Sequence, residues 1–170
     1  MAVFTKLEKK DIENFLEDYS IGSLISFEGI VEGIENTNYK IKTSKHEYIL
    51  TIFEKRVKPA DLPFFMKLQK DLAANGFDCP VPIENNMGSS INNLKDKSAV
   101  IISFLDGKQL QFVQPHHCRE VGSMIGRFTN ITKSSKLIKE NSMNIDAWEN
   151  ILIKCKKHSS NFNYIYLETL

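Results

Sequence analysis

The sequence predicts an α+β fold, sheet-rich to about residue 104 and helical beyond it. Three observations carry this. Tyr39, Ile41 and Thr43 alternate with Asn38, Lys40 and Lys42, and Tyr48–Phe53 is a β-branched and aromatic run, both strand signatures. Apolar residues at helical spacing flank these runs, with Ile12, Phe15, Leu16 and Tyr19 before them and Leu62, Phe65, Leu68 and Leu72 after. Past Asp106-Gly107 only the helical period remains, so strands and helices are segregated along the chain.

The elements follow in order. A short amphipathic helix starts near Asp11 and is expected to end near Gly22. Strands over 26–31 and 38–43 flank a loop, Glu32–Thr37, and Ser44–Glu47 turns into a third, well-buried strand, Tyr48–Phe53. Pro63 suits the first turn of a helix and Asn75-Gly76 its stop. Cys79-Pro-Val-Pro82 is extended, because each proline fixes its own φ and biases the residue before it away from helix. Met87-Gly88 and Asn92-Asn93 read as turns bracketing short edge strands, ahead of a central strand over Ser98–Phe104. Pro115 opens a helix whose Val121, Ile125 and Phe128 form a stripe expected to be buried, with Gly122 and Gly126 permitting close packing. Ile145, Trp148, Leu152 and Cys155 mark another helix, and 163–170 is apolar but short.

Composition narrows the function. The 170 residues are 42% hydrophobic and 25% charged, enough to bury a core as one ordinary domain or two small lobes. Twenty-two Lys and Arg against 21 Asp and Glu leave no cationic excess for displacing phosphate counterions, which argues against a nucleic-acid partner. No apolar run is long enough to span a membrane, and the N-terminus turns charged before a signal-peptide core could form. Cys79, Cys118 and Cys155 lack any C-x-x-C pairing, so reduced thiols and a cytoplasmic setting are expected.

Chemistry centres on GIVEGIENTNYKI (29–41), a glycine-containing loop between two strands. A loop covering phosphate needs small residues so that backbone N–H groups can approach the anion, although Gly29 and Gly33 alone also suit plain turns. His116 and His117 lack a third ligand nearby in sequence, so a surface or capping role is expected of them. Lys154–Lys157 is a small basic cluster read as a solvated face.

Seven segments in one order, NFLEDYSIG (14–22), GIVEGIENTNY (29–39), YILTIFEKR (48–56), DLPFF (61–65), LAANGFDCPVP (72–82), ISFLDG (102–107) and HCREVG (117–122), resemble the aminoglycoside-phosphotransferase and choline-kinase-like superfamily. Within it they resemble the homoserine kinases of the kinase-like type, over the first half of the family pattern. The resemblance implies a protein-kinase-like small lobe, an antiparallel sheet with helices, at 1–104. The hinge and first helices of a truncated large lobe would follow at 105–170. It implies ATP and Mg2+ as cofactors, with the Mg2+ ligands outside this sequence, and homoserine or a similar amino alcohol as substrate. Gly33, Asn36 and Asn38 match the loop over the nucleotide phosphates; Ser103, Phe104 and Leu105 match the connection whose backbone pairs with the adenine edge. Trp148, after the Asn-rich stretch 141–144, is a packing residue on either reading.

Two departures stand out. The strand position where many kinases carry a phosphate-pairing lysine is Thr51, so that charge would come from elsewhere, with Lys55 or Arg56 at the strand end as the candidates. The acidic partner on the next helix is open too; Asp61 is the nearest candidate and equally suits an N-cap. No His-x-Asp-x-x-x-x-Asn catalytic loop occurs, so the expectation is a chain inactive alone, its missing carboxylates belonging to a longer gene, a separately encoded partner chain or a sequence lost to truncation. The rival is a non-catalytic nucleotide- or protein-binding remnant of the same fold. In the half-enzyme reading Phe128, Trp148, Ile151, Phe162, Tyr164, Ile165 and Leu167 would leave an exposed apolar patch.

Overall fold

The computed structural model describes residues 3–32, 34–108 and 110–158. The chain divides into two compact units, Met1–Leu137 and Ile138–Leu170. The first holds α1 (Lys9–Leu16), β1 (Leu24–Ile30), β2 (Thr37–Thr43), β3 (Glu47–Ile52), a 3-10 turn (Pro59–Asp61), α2 (Leu62–Ala74), β4 (Pro82–Ile83), β5 (Asn92–Leu94), β6 (Lys97–Ser103) and α3 (Pro115–Thr132). The second holds α4 (Ile145–His158). The strands form one antiparallel sheet in the order β1-β2-β3-β6-β4, with β5 pairing β6.

Alternation along the strands gives the sheet two unlike faces. One carries Tyr39, Ile41, Tyr48, Leu50, Ile52, Ala99 and Ile101, which form the main core with Ile12, Phe15 and Leu16 of α1. The first helix ends at Leu16, earlier than the expected Gly22, yet Tyr19 and Ile21 still reach this core. A turn, with the Tyr19 N–H on the Leu16 carbonyl, takes over from the helix. Gly22, at φ +91, sits where a Cβ would come within 2.4 Å of Ser44 Oγ, so only glycine fits that crossing.

Past α2 the chain stops helically as expected. Gly76 at φ +72 follows Asn75, the Phe77 N–H reaches the Leu72 carbonyl and the Gly76 N–H that of Ala73, a Schellman ending. The expected turn at Asn92-Asn93 is a strand instead. The reversal falls on Lys95 and Asp96, both at positive φ (53 and 60), the conformation of a two-residue type I′ hairpin.

Both late helices exist, but the expected burial does not. On α3, Val121 is 56% and Ile125 61% exposed, and a Cβ at Gly122 or Gly126 would meet nothing within 4 Å. Phe128 touches Phe77, at 6.0 Å between ring centroids, and Arg127 donates to the Gly76 carbonyl at 2.7 Å. Trp148 and Ile151 of α4 are exposed as well. Amphipathic spacing identifies the side of a helix suited to burial and is silent about what covers it. Phe162, Tyr164, Ile165 and Leu167 lie outside the described residues.

Candidate functional site

The face of the sheet turned away from α1 is organised in rows by strand register. Residues directly opposite one another share a face, so Ile30, Asn38, Thr51 and Val100 form one row and Glu28, Lys40, Ile49 and Ile102 the next. Ser26, Lys42 and Glu47 complete a third. The first row is closed at its β6 end, where Val100 and Thr51 are buried, and opens toward β1, where Asn38 and Ile30 are half-buried. Ile49 and Ile102 are half-buried too, giving an apolar strip with polar groups at its two ends.

At one end lies the β1–β2 loop. Asn38 accepts a 2.8 Å hydrogen bond from the Thr51 hydroxyl, which fixes the loop's exit to β3. Half-buried Asn36 has its Oδ1 sequestered without a hydrogen-bond partner. Gly29 serves packing: a Cβ there would strike the Val3 side chain at 2.9 Å. Gly33 lies outside the described residues.

The loop is anchored from the opposite face. Buried Thr37 accepts from the Phe4 and Thr5 backbone N–H groups at 2.9 and 3.0 Å and donates to Glu54 at 2.6 Å. Thr5 donates to the same carboxylate at 2.7 Å, and Lys97 pairs with it and also donates to Thr5 Oγ1 at 2.7 Å. Burial alone would raise the Glu54 pKa, but hydrogen bonds from Lys97, Thr37 and Thr5, with the Lys97 charge, hold it below the ordinary carboxylate value.

At the other end β6 runs out through Ser103, Phe104 and Leu105. Ser103 is tied to Val81, its N–H donating to the carbonyl at 2.9 Å and its Oγ accepting from the N–H at 2.8 Å. The Phe104 N–H points to the Glu47 carbonyl at 3.4 Å. The Leu105 N–H has no partner among the described residues.

The two strand-end cations project beyond the rows. Arg56 pairs with Glu35 of the loop, both substantially exposed, and Lys55 is exposed. Asp61 takes the N-cap position of α2 without a side-chain capping hydrogen bond. Sequence reasoning passed over Lys40. Its ammonium lies 4.1 Å from the centre of the Phe104 ring and 3.0 Å from Glu47, with the side chain 29% exposed. The alternation of β2 put Lys40 on the polar face; only the pairing of β3 with β6 brings Phe104 beneath it.

Elsewhere, His117 Nδ1 accepts the Gln114 N–H at 3.0 Å, a capping contact, one of the two roles expected of the histidine pair. Burial and the charge of Asp78 hold the Cys79 thiol above its ordinary pKa, and its Sγ reaches the Gln69 carbonyl at 3.5 Å. All three cysteines are free. Among the described residues no group of three or more His, Cys, Asp and Glu could hold a metal ion, and no helix is long and apolar enough to cross a membrane.

The chain as a whole is similar to known proteins. Homoserine kinases of Parvibaculum lavamentivorans, Rhizobium etli and Agrobacterium fabrum are 38%, 41% and 40% identical over 92%, 89% and 88% of the chain. The chain spans about half the length of these curated relatives, 49%, 47% and 46%. A spectinomycin phosphotransferase solved with ADP and spectinomycin superposes with a TM-score of 0.65 at 10% identity, over 91% of this chain and 48% of that one. An amicoumacin kinase solved with AMP-PNP and Ca2+ gives 0.62 at 13% identity, over 97% and 55%. These structural likenesses establish a shared fold. Residues 26–153 match the model of the phosphotransferase enzyme family, a span that takes in the β1–β2 loop, the sheet face and the end of β6, and the chain belongs to that family.

Proposed function

We propose that this chain is the nucleotide-binding half of an ATP-dependent small-molecule kinase that phosphorylates the hydroxyl of homoserine or a similar amino alcohol. The observation that carries the reading is identity of about two residues in five to homoserine kinases across the loop, the sheet and the hinge. The geometry supports it. The strip of Ile30, Ile49 and Ile102 suits the apolar faces of a purine, and the Leu105 N–H, without a partner among the described residues, suits its edge. Asn36, sequestered without a partner, and Asn38 stand at the phosphate end, where Gly33 would also contribute backbone. We assign residues 1–104 to the nucleotide lobe and 105–170 to the hinge and first helices of the second lobe. A cytoplasmic setting goes with ATP and free thiols.

Magnesium, when bound in such an enzyme, neutralises phosphate charge. The sequence holds no His-x-Asp-x-x-x-x-Asn pattern, so we assign its ligands to a second polypeptide segment or chain. The exposed α3 face supports that division over the rival reading of a self-contained binding module, which would bury Val121 and Ile125.

The test is a titration of ATP into the chain, followed by co-expression with the second half of the Parvibaculum relative and an assay for phosphate transfer to homoserine. Saturable ATP binding by the chain and transfer only by the reconstituted pair are expected. No ATP binding would refute the reading.

A further inference from the structure

The row geometry poses an electrostatic problem that sequence alone left open. Thr51, opposite Asn38, holds the position where the family resemblance places a phosphate-pairing lysine, and a hydroxyl carries no charge. Of the strand residues that register places on this face, the cations are Lys40 and Lys42. Lys42 is exposed and two residues farther from the loop, about 7 Å along the strand. Lys97 faces the other way, into the Glu54 network, and Arg56 pairs with Glu35 outside the rows.

Lys40 sits opposite Ile49 on β3, which makes Thr51 its diagonal neighbour at about 7 Å, within reach of a four-carbon stem. Its ammonium rests instead at the hinge end, against Glu47 and over the Phe104 ring, beside the Ile49–Ile102 strip assigned to the purine. A base entering that strip competes with Lys40 for Phe104, while its phosphates offer a stronger anion than one carboxylate at the loop end.

We infer that Lys40, on β2, is the cation that pairs with the nucleotide phosphates in place of a lysine at Thr51, and that without nucleotide it parks on Phe104 and Glu47. This rests on the nucleotide-binding reading above. Binding then swings the ammonium from the hinge toward Asn38 and Thr51 and frees the Phe104 ring for the base. The side chain changes partners without any backbone movement.

The test compares ATP with adenosine on the 170-residue chain and its Lys40→Met, Lys40→Arg and Arg56→Ala variants, each first checked for a native circular-dichroism spectrum. Lys40→Met should weaken ATP about 10-fold or more while leaving adenosine within about 2-fold, and Lys40→Arg should keep ATP within about 3-fold, since charge and reach are retained. Arg56→Ala should stay within about 2-fold for both ligands. On the unsubstituted chain, ATP should protect Lys40 from acetylation by acetic anhydride and adenosine should not, a readout that needs no variant to fold. Unchanged ATP affinity in Lys40→Met, equal loss of ATP and adenosine, or a loss that follows Arg56 would overturn the assignment alone. Failure of the unsubstituted chain to bind ATP would overturn the nucleotide reading and this assignment with it.

Discussion

Glu54 joins the N-terminal segment to the start of β2, and Glu54→Gln tests how much that junction contributes. The side chain is 9% exposed and accepts from Thr37, Thr5 and Lys97. Removing one partner of a fully buried ion pair costs about 3–5 kcal/mol. Two features reduce that here. Lys97 is 37% exposed and can re-solvate, and glutamine keeps an oxygen for the two threonines, which brings the expected cost to about 2 kcal/mol. For a domain of this size that is roughly a 4–8 °C fall in Tm. The sign with pH follows from the lowered pKa. A depressed carboxyl contributes its stability above its unfolded-state value, and the contribution disappears as pH falls through the folded-state value. Urea unfolding of both proteins should therefore show a gap that is full at neutral pH and narrows as pH falls below the ordinary carboxylate value and through the lowered folded-state value of Glu54. A gap that stays constant over that range would show that the carboxylate charge is not its source. A gap under about 0.5 kcal/mol at neutral pH would show that the network adds little to stability.

Two further outcomes are expected. Asp96→Gly should stabilise the chain by about 0.5 kcal/mol in urea unfolding, because glycine adopts the positive φ of the β5–β6 turn without a Cβ penalty, while the Lys95–Asp11 pair is left in place. Val121→Lys combined with Ile125→Lys should lower self-association in sedimentation velocity and shift stability by less than about 0.5 kcal/mol per site, since neither side chain is buried; a large loss of stability would mean that the α3 face is covered in solution.

The parts of the fold that sequence made legible are those specified locally. Alternation fixed β2, and Pro63 with Gly76 bracketed α2, because each device acts within a few residues. The β5–β6 turn was hidden because Lys95-Asp96 carries neither the glycine nor the asparagine that usually marks a type I′ reversal, while Asn92-Asn93 does look like a turn. For the candidate site, the β1–β2 loop and the end of β6 were visible as segments. Their placement on one sheet depends on β6 returning after α2, β4 and β5 to lie beside β3, a non-local pairing that no window of sequence contains. Lys40 escaped notice for the same reason, since its ring partner lies 64 positions away in the chain.

Neighbouring residues of β2 serve different ends, and this makes stability and binding separable on one strand. Ile41 is fully buried in the core beneath α1, so Ile41→Ala should cost about 3 kcal/mol, with nucleotide affinity of the folded fraction unchanged. Asn38, three positions earlier on the opposite face, makes one hydrogen bond to Thr51 and borders the half-open row, so Asn38→Ala should cost only about 1 kcal/mol. It should instead weaken ATP binding by removing a polar group and loosening the loop's exit. Measuring urea unfolding and ATP affinity for both variants gives a crossed pattern if the two faces work separately. A variant that lost both properties together would mean that the sheet face turned away from α1 is coupled to the core through β2, and the row geometry would then describe packing rather than a binding surface.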